Sequence, residues 1–490
     1  MKAMHFDNYR ALTAHGREEL RADALAIAAS GLKAADPAAE LARSLRLEGD
    51  RLVVRGQPID GLDRRRNSCD TVVDLAGRRL FLLGAGKATL GMAEVLDELL
   101  GPRFTDAAVV VKRGQARASP LHYVEVLEAA HPVPDESSLA GGLRLLALSR
   151  KARAEDVVIG LVTGGSSALA VAPAEGISLA DKIETNRLLL ASGADIVSMN
   201  SVRKHLSAIK GGRLGLACGC RILNFTASDV VGDPLDYITD LTVPDSSTWG
   251  MAQATCDRFA LWRALPPAVE ARLRLADPDQ ETPKGLPSVC TWVMADAARM
   301  CAAAVAEAAA RGYDAELLGL DWEGEARDAG IELVRHLLTA RPHSCLIAGG
   351  ENTVTLAGGT ADGLGGPNQE AALAAALALA EGPAAAVICL DSDGSDGPTD
   401  AAGGLVDDLT AAAASAAGLD IAAALAAHAT HHALCSVGDL VVIGTTGTNV
   451  NDLKVALRGG ASCTRVICAS VVEHVIAKGR TFRWRQVATR

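Results

Sequence analysis

Several segments carry residue types and spacings able to bind or activate an anionic substrate. Leu82-Leu83-Gly84-Ala85-Gly86-Lys87-Ala88 is an apolar run ending in two glycines and a lysine. It reads as a strand-to-helix turn: Gly84 and Gly86 let backbone N–H groups approach a phosphate, the next helix points its positive end at it, and Lys87 adds a full charge. Only 11 of the 48 basic residues are lysines, so a lysine at this turn stands out. Val162-Thr163-Gly164-Gly165-Ser166-Ser167-Ala168 offers N–H groups from Gly164 and Gly165 and hydroxyls from Ser166 and Ser167, with Ser166 placed to cap a helix. Between Asn200 and Arg213, a continuous helix would set Arg203 and Lys210 on one face toward a single anion, with Arg213 following; Lys204 and His205 read as a solvated basic face. Asp229 and Asp233 flank a Gly turn and suit Mg2+ coordination or deprotonation of a hydroxyl. The loop from Asp391 to Asp400 begins like a calcium loop, yet Ala402 stands where the closing Glu is required. Its acids, Asp393 and Asp396 among them, suit Mg2+-nucleotide contacts, with Thr446, Gly447, Thr448 and Asn449 as neutral donors to phosphate oxygens. Each of these patterns also has an ordinary structural use, as unliganded turns, helix caps or Asp-stabilised loops.

Two familiar nucleotide signatures are absent. Gly84-x-Gly86 has Thr89 where the dinucleotide fingerprint needs Gly or Ala, and neither the leading glycine nor the closing hydroxyl of the ATPase loop surrounds Lys87. Any nucleotide site is of another type.

The elements that must position these residues follow an α/β rhythm. The 490 residues exceed a single core and predict two domains. Residues 9–47 show helical spacing with a break at Asp36-Pro37. Strands are expected at Leu80–Leu83, Ala107–Val111, Val157–Val162 and Arg221–Phe225, alternating with helices, which means a parallel sheet covered by helices. DPDQETPKGLP at 277–287 reads as the linker, dividing a first domain (1–276) from a second (288–490). The second holds strands at Ser344–Ala348, Asn352–Ala357, Ala385–Leu390 and Leu440–Ile443, with a helix at Asn368–Ala380 and a helix or helix pair over Ala411–Ala429.

Composition narrows the partners. The net charge of −11 and the lack of a basic run interleaved with aromatics argue against nucleic acid. The cysteines sit mostly in apolar runs without metal spacing and read as reduced and cytoplasmic. No apolar stretch spans a bilayer, and the charged N-terminus lacks a signal peptide. A homodimer is left open.

In order along the chain, GAGKA (84–88), HPVPDE (131–136), VTGGSSAL (162–169), NSVRKHLSAIKGGRL (200–214), SDVVGD (228–233), ETPK (281–284), GGENTV (349–354), GGPNQEAAL (365–373), DGSDGPTDAAGG (393–404) and GTTGTNVNDL (444–453) resemble the class II glycerate 2-kinase family, whose C-terminal half is the MOFRL domain. The resemblance implies a Rossmann-like N-terminal α/β/α sandwich and a MOFRL-type α/β domain, with the active site in the cleft between them. It implies ATP-dependent, Mg2+-dependent phosphorylation of the 2-hydroxyl of D-glycerate. Lys87 takes the position of the family's catalytic lysine. Asp229 and Arg203 are the other catalytic candidates; Gly84, Gly86, 164–167 and 446–449 are assigned to nucleotide, Arg203, Lys210, Arg213, Asn368 and Glu370 to the acid, and Asp233, Asp393 and Asp396 to metal.

Two departures bear on the substrate. Pro367 stands where the family commonly has an arginine, and Arg203 or Arg213 is the candidate replacement. The turn at 238–245 is one residue shorter than the family's and adds Asp240. A kinase of a related small hydroxy acid, a hydroxypyruvate reductase and a non-catalytic binding protein are the alternatives.

Overall fold

A computed structural model describes residues 6–56, 58, 70–115, 120–227, 241–356 and 363–460. The chain divides into two compact units. One runs over Ser30–Ala303 and takes back Thr445–Asn451; the other comprises residues 6–29, Ala304–Gly444 and 452–460. The division therefore differs from the expected linker. Residues 277–287 lead into a strand of the first unit's sheet, Val289–Ala295, and the N-terminal helix Glu18–Ala34 begins in the second unit. A Pro- and charge-rich stretch marks a surface loop, but hydrogen bonding decides which sheet its flanks join.

The first unit is built on six strands: β1 Leu80–Ala85, β2 Phe104–Lys112, β3 Glu125–Ala129, β4 Val157–Val162, β5 Arg221–Ala227 and β6 Val289–Ala295. Their order is 3-2-1-4-5-6 and every pairing is parallel, so this is a doubly wound sheet. β1 and β4 are buried along their whole length. Successive side chains point to opposite faces: Leu80 and Leu82 join one core with Val109, Ile159 and helix Thr89–Leu100, while Phe81 and Leu83 join the other with Val110, Val158 and helix Glu136–Ser149. A third, helical core around Met199, Val202, Leu206 and Trp249 supports the helix Ile196–His205.

The second unit carries β7 Asp314–Gly319, β8 Ser344–Gly350, β9 Ala385–Asp391, β10 Gly403–Asp407, β11 Leu440–Val441 and β12 Asp452–Arg458, in the order 7-8-12-9-10-11. Only β7 and β8 run parallel; β12 lies antiparallel between β8 and β9. The helix Pro367–Leu379 is almost wholly buried, and its alanines let helix Ala326–Thr339 approach so closely that a Cβ on Gly330 would fall 3.0 Å from the Ala371 Cα.

Elements fall close to expectation, with informative differences. Asp36 caps the helix Pro37–Ser44 through the N–H groups of Ala38 and Ala39, as the break predicts. Of the strand expected at Asn352–Ala357 the described residues form only Asn352–Thr353, Ala357 lying outside them, while the helix or helix pair expected over Ala411–Ala429 is a pair, Thr410–Ala416 and Ile421–Ala426, with Gly418 at φ 78° between them. Among the described residues no helix is long and apolar enough to cross a membrane, and the described cysteines are free thiols, mostly buried. The tail 465–490 lies outside the described residues.

Candidate functional site

β1 and β4 are adjacent, and the strand order reverses between them. Loops at the carboxyl ends of two such strands open a crevice where doubly wound sheets bind ligands. The loop after β1 carries Lys87 and the loop after β4 carries Gly164–Ser167, so the sheet brings the first two sequence motifs together. They are stitched by backbone: Thr163 N–H donates to the Ala85 carbonyl (3.1 Å) and Lys87 N–H to that of Gly164 (2.9 Å). The Thr163 hydroxyl accepts from the Ala88 N–H at 3.1 Å and lies 3.2 Å from the Thr89 hydroxyl. Gly86 adopts φ 142°, and a Cβ there would fall 2.6 Å from the Thr163 carbonyl oxygen; only glycine fits. Gly165, at φ 85°, passes beside the Lys87 stem and the His131 ring, since a Cβ on it would lie 3.1 Å from Lys87 Cγ and 3.3 Å from His131 Nε2. His131, of the HPVPDE motif, is thus a neighbour that the sequence alone does not place here.

Ser166 does not cap a helix. It is the first residue of the short helix Ser166–Leu169, and the capping position belongs to Gly165. Ser167 is engaged: Lys210 Nζ donates to both its carbonyl and its hydroxyl oxygen, each at 2.6 Å. Lys210 reaches it from a turn, not from the helix of Arg203. That helix ends at His205, and Gly211 and Gly212, both left-handed, redirect the chain, so Arg203 and Lys210 do not share a helical face. They nonetheless converge with Lys182, whose Nζ donates to the Leu206 carbonyl at 3.2 Å. Burial, then the neighbouring Arg203 and Arg272, lower the Lys182 ammonium to about 7. Burial, with Lys182 and Arg203 beside it, holds Lys210 well below the usual lysine range. Arg203 donates to Asn200 Oδ1 at 3.1 Å and keeps a buried Nε without a partner. Arg213 donates to the Gln280 carbonyl, and its Nε is likewise buried and unpartnered.

Lys204 and His205 are not a solvated face. Both are buried. Lys204 pairs with Asp245 at 2.9 Å; burial pushes that carboxyl up, but Lys204 and the Ser247 donors outweigh it and leave Asp245 below its ordinary value. His205 spans the Ser201 carbonyl (2.6 Å) and Glu281 (2.7 Å), with burial pushing its pKa down. Glu281 and Lys284 of the ETPK motif thus knit the turn after Thr242 to this helix, a structural role. Asp229, Asp233 and Asp240 lie outside the described residues.

The second unit gathers its own polar group. Asn368 Nδ2 donates to Asp396 (3.2 Å) and to Asp452 (2.8 Å), and Lys454 pairs with Asp452 at 3.1 Å. Asp396 accepts from the backbone N–H groups of Asn368 and Gln369, so its oxygens hold the start of helix Pro367–Leu379; burial pushes its carboxyl up to about 6. Asp391 is pushed up to about 9 by burial and by Asp393 and Asp452. Asp393 turns its Oδ1 to the N–H and hydroxyl of Ser395. Asp393 and Asp396, the residues expected at a metal, have internal partners here. Asp396 accepts from three N–H groups, and among the described residues no group of three or more His, Cys, Asp and Glu is placed to hold a metal ion. Glu370 is committed as well, to Arg327 (3.0 Å) and His428 (2.9 Å). Pro367 opens its helix at N1, where a missing N–H costs nothing. Thr446–Asn449 belongs to the first unit; Thr448, buried, donates to the Ala35 carbonyl at 2.6 Å, which is not the free phosphate donor expected, while Gly447 takes φ 80°.

A doubly wound α/β unit with a glycine-bounded lysine at its switch point and buried cations alongside defines a class of protein that binds a phosphorylated or otherwise anionic small molecule. Family models match residues 23–274 (a domain of unknown function, DUF4147) and residues 344–452 (the MOFRL family). A glycerate 2-kinase of Pyrococcus horikoshii is 35% identical over 450 residues, 90% of this chain and 97% of the relative. A D-glycerate 2-kinase of Thermotoga maritima is 37% identical over 398 residues, 79% of this chain and 93% of the relative. The crystal structure of a Thermotoga maritima glycerate kinase superposes with a TM-score of 0.76 at 32% identity, covering 90% of this chain and all of that one. The chain belongs to the class II glycerate 2-kinase family.

Proposed function

We propose that this chain transfers the γ-phosphoryl group of ATP to the 2-hydroxyl of D-glycerate, giving 2-phosphoglycerate. The observation that carries the proposal is the meeting of the Lys87 turn with Gly164–Ser167 at the switch point, next to the cations Lys210 and Arg203. Phosphoryl transfer is mostly positioning and charge neutralisation. In this reading Lys87 holds the transferring phosphoryl group, the glycine turns approach phosphate oxygens, and Arg203, Lys210 and Arg213 hold the acid. Asp229 remains the candidate for accepting the hydroxyl proton. Mg2+ belongs to the proposal as the nucleotide's companion; the described carboxylates form no cage for it.

The test is ADP release from ATP and Mg2+ by the purified chain across D-glycerate, L-glycerate and four-carbon hydroxy acids, with NADH and NADPH oxidation by hydroxypyruvate measured in parallel. Turnover on D-glycerate that falls about 1,000-fold or more in Lys87→Ala is expected, the loss of a main charge-stabilising group at the transferring phosphoryl. Turnover on another acid alone moves the substrate. NAD(P)H oxidation without ADP release overturns the kinase reading in favour of a reductase.

A further inference from the structure

Lys182 sits in helix Leu179–Ala191 among residues with ordinary surface duties: Asp181 takes part in the Ser178 capping box, and Glu184 pairs with Arg187 at 2.6 Å. Its ammonium leaves that surface for the Leu206 carbonyl, at the end of the helix that carries Arg203. The charged groups acting on it are Arg203 and, from helix Pro267–Leu275, Arg272; those acting on Lys210 are Lys182 and Arg203. Lys182 on the Leu206 carbonyl just past the helix of Arg203, Arg203 itself, and Lys210 in the turn that follows thus come from three separate elements within reach of one another's charge, and among the described residues no ion pair joins a carboxylate to any of the three. Other buried or half-buried cations of this unit do carry a counter-ion: Lys204 has Asp245 and Arg79 has Asp156. Like charges gathered where water is partly excluded are unfavourable until an anion joins them, and the unpartnered Nε of Arg203 leaves a donor over for one.

We propose that Lys182, with Lys210 and Arg203, forms the subsite that takes the carboxylate of the hydroxy-acid substrate. The proposal rests on the kinase reading above. In a 2-hydroxy acid the carboxylate is one bond from the carbon bearing the reacting hydroxyl, so its cations must adjoin the phosphoryl-binding turn. Lys210, held on Ser167 two residues beyond Gly165 and the Lys87 stem, does so. A carboxylate entering this cluster reverses the like-charge effect on Lys182, which burial and its neighbouring arginines hold at about 7, so binding of the acid takes up protons from solution near neutral pH.

The experiment compares the wild-type full chain with Lys182→Met and Lys182→Arg, after thermal unfolding shows that each variant is folded. In Lys182→Met the KM for D-glycerate should rise about tenfold or more, the loss of one charge-assisted contact, with the KM for ATP unchanged; Lys182→Arg should recover part of the difference. Calorimetry of D-glycerate binding in Tris and in HEPES should show proton uptake by the wild type and less by Lys182→Met. An unchanged KM for the acid, or a rise confined to the KM for ATP, overturns the subsite. If no acid is phosphorylated at all, the kinase reading fails on its own. Calorimetry then still decides the subsite: binding of D-glycerate that is lost in Lys182→Met supports it, and binding that is absent from the wild type or equal in both overturns it.

Discussion

At the residue scale, the site depends on backbone shapes that only particular side chains permit. Gly86 is the sharpest case, because its positive φ and the nearby Thr163 carbonyl both exclude a Cβ. Gly86→Ala is expected to destabilise the chain by about 2 kcal/mol or more and to abolish turnover by displacing Lys87, read by calorimetric unfolding alongside ADP release. Glu370 and Asp396 teach the opposite lesson. Their types suit substrate or metal contact, yet their oxygens are taken by Arg327 and His428 and by the N–H groups of Asn368 and Gln369. A carboxylate in a motif is legible in the sequence; whether its lone pairs are free depends on partners far along the chain.

At the element scale, two parallel strands place two loops side by side, and one hydroxyl ties them. Thr163 Oγ1 accepts from Ala88 N–H and thereby holds the start of the helix behind Lys87 against the loop after β4. Thr163→Val keeps the shape and leaves that buried N–H without a partner, at a cost of about 1–3 kcal/mol. Turnover should fall more than stability does, with the KM for ATP rising, because Lys87 and Gly164 lose their common anchor; a variant with wild-type kinetics would show that the tie is not needed. The strand and helix alternation was readable here because the strands of a parallel sheet are continuous apolar runs. The turn between His205 and Gly212 was not, because a cation pattern at helical spacing looks the same whether or not the chain stays helical.

At the scale of the whole molecule, the N-terminal segment closes over the second unit through buried charge. Arg21 pairs with Asp407 (2.5 Å) and Asp439 (2.8 Å), all three buried, and His15 reaches the same Asp439 at 2.8 Å. Asp439→Asn is expected to cost about 1–3 kcal/mol by taking a charged acceptor from Arg21, His15 and Thr410 while Arg21 keeps Asp407. His15 is raised above its ordinary 6.5 by the hydrogen bond to Asp439, against burial and Arg21. A group raised in the folded state stabilises fully below its unfolded value and loses that contribution as pH rises through its folded value. The unfolding midpoint should therefore fall on going upward from about pH 6.5, with a shallower fall in His15→Asn; equal slopes in the two proteins would remove His15 from the account.

The sequence by itself determined the α/β class, the family and the turn that carries Lys87, because apolar periodicity and glycine-bounded motifs are local properties of the chain. Only the tertiary structure decided the rest. It assigned residues 6–29 to the second unit and Thr445–Asn451 to the first, set Lys210 on Ser167, committed Glu370 and Asp396 to internal partners, and brought in Lys182. The physical reason is that burial, charge pairing and hydrogen-bond satisfaction depend on contacts between residues remote in sequence, which no spacing rule contains.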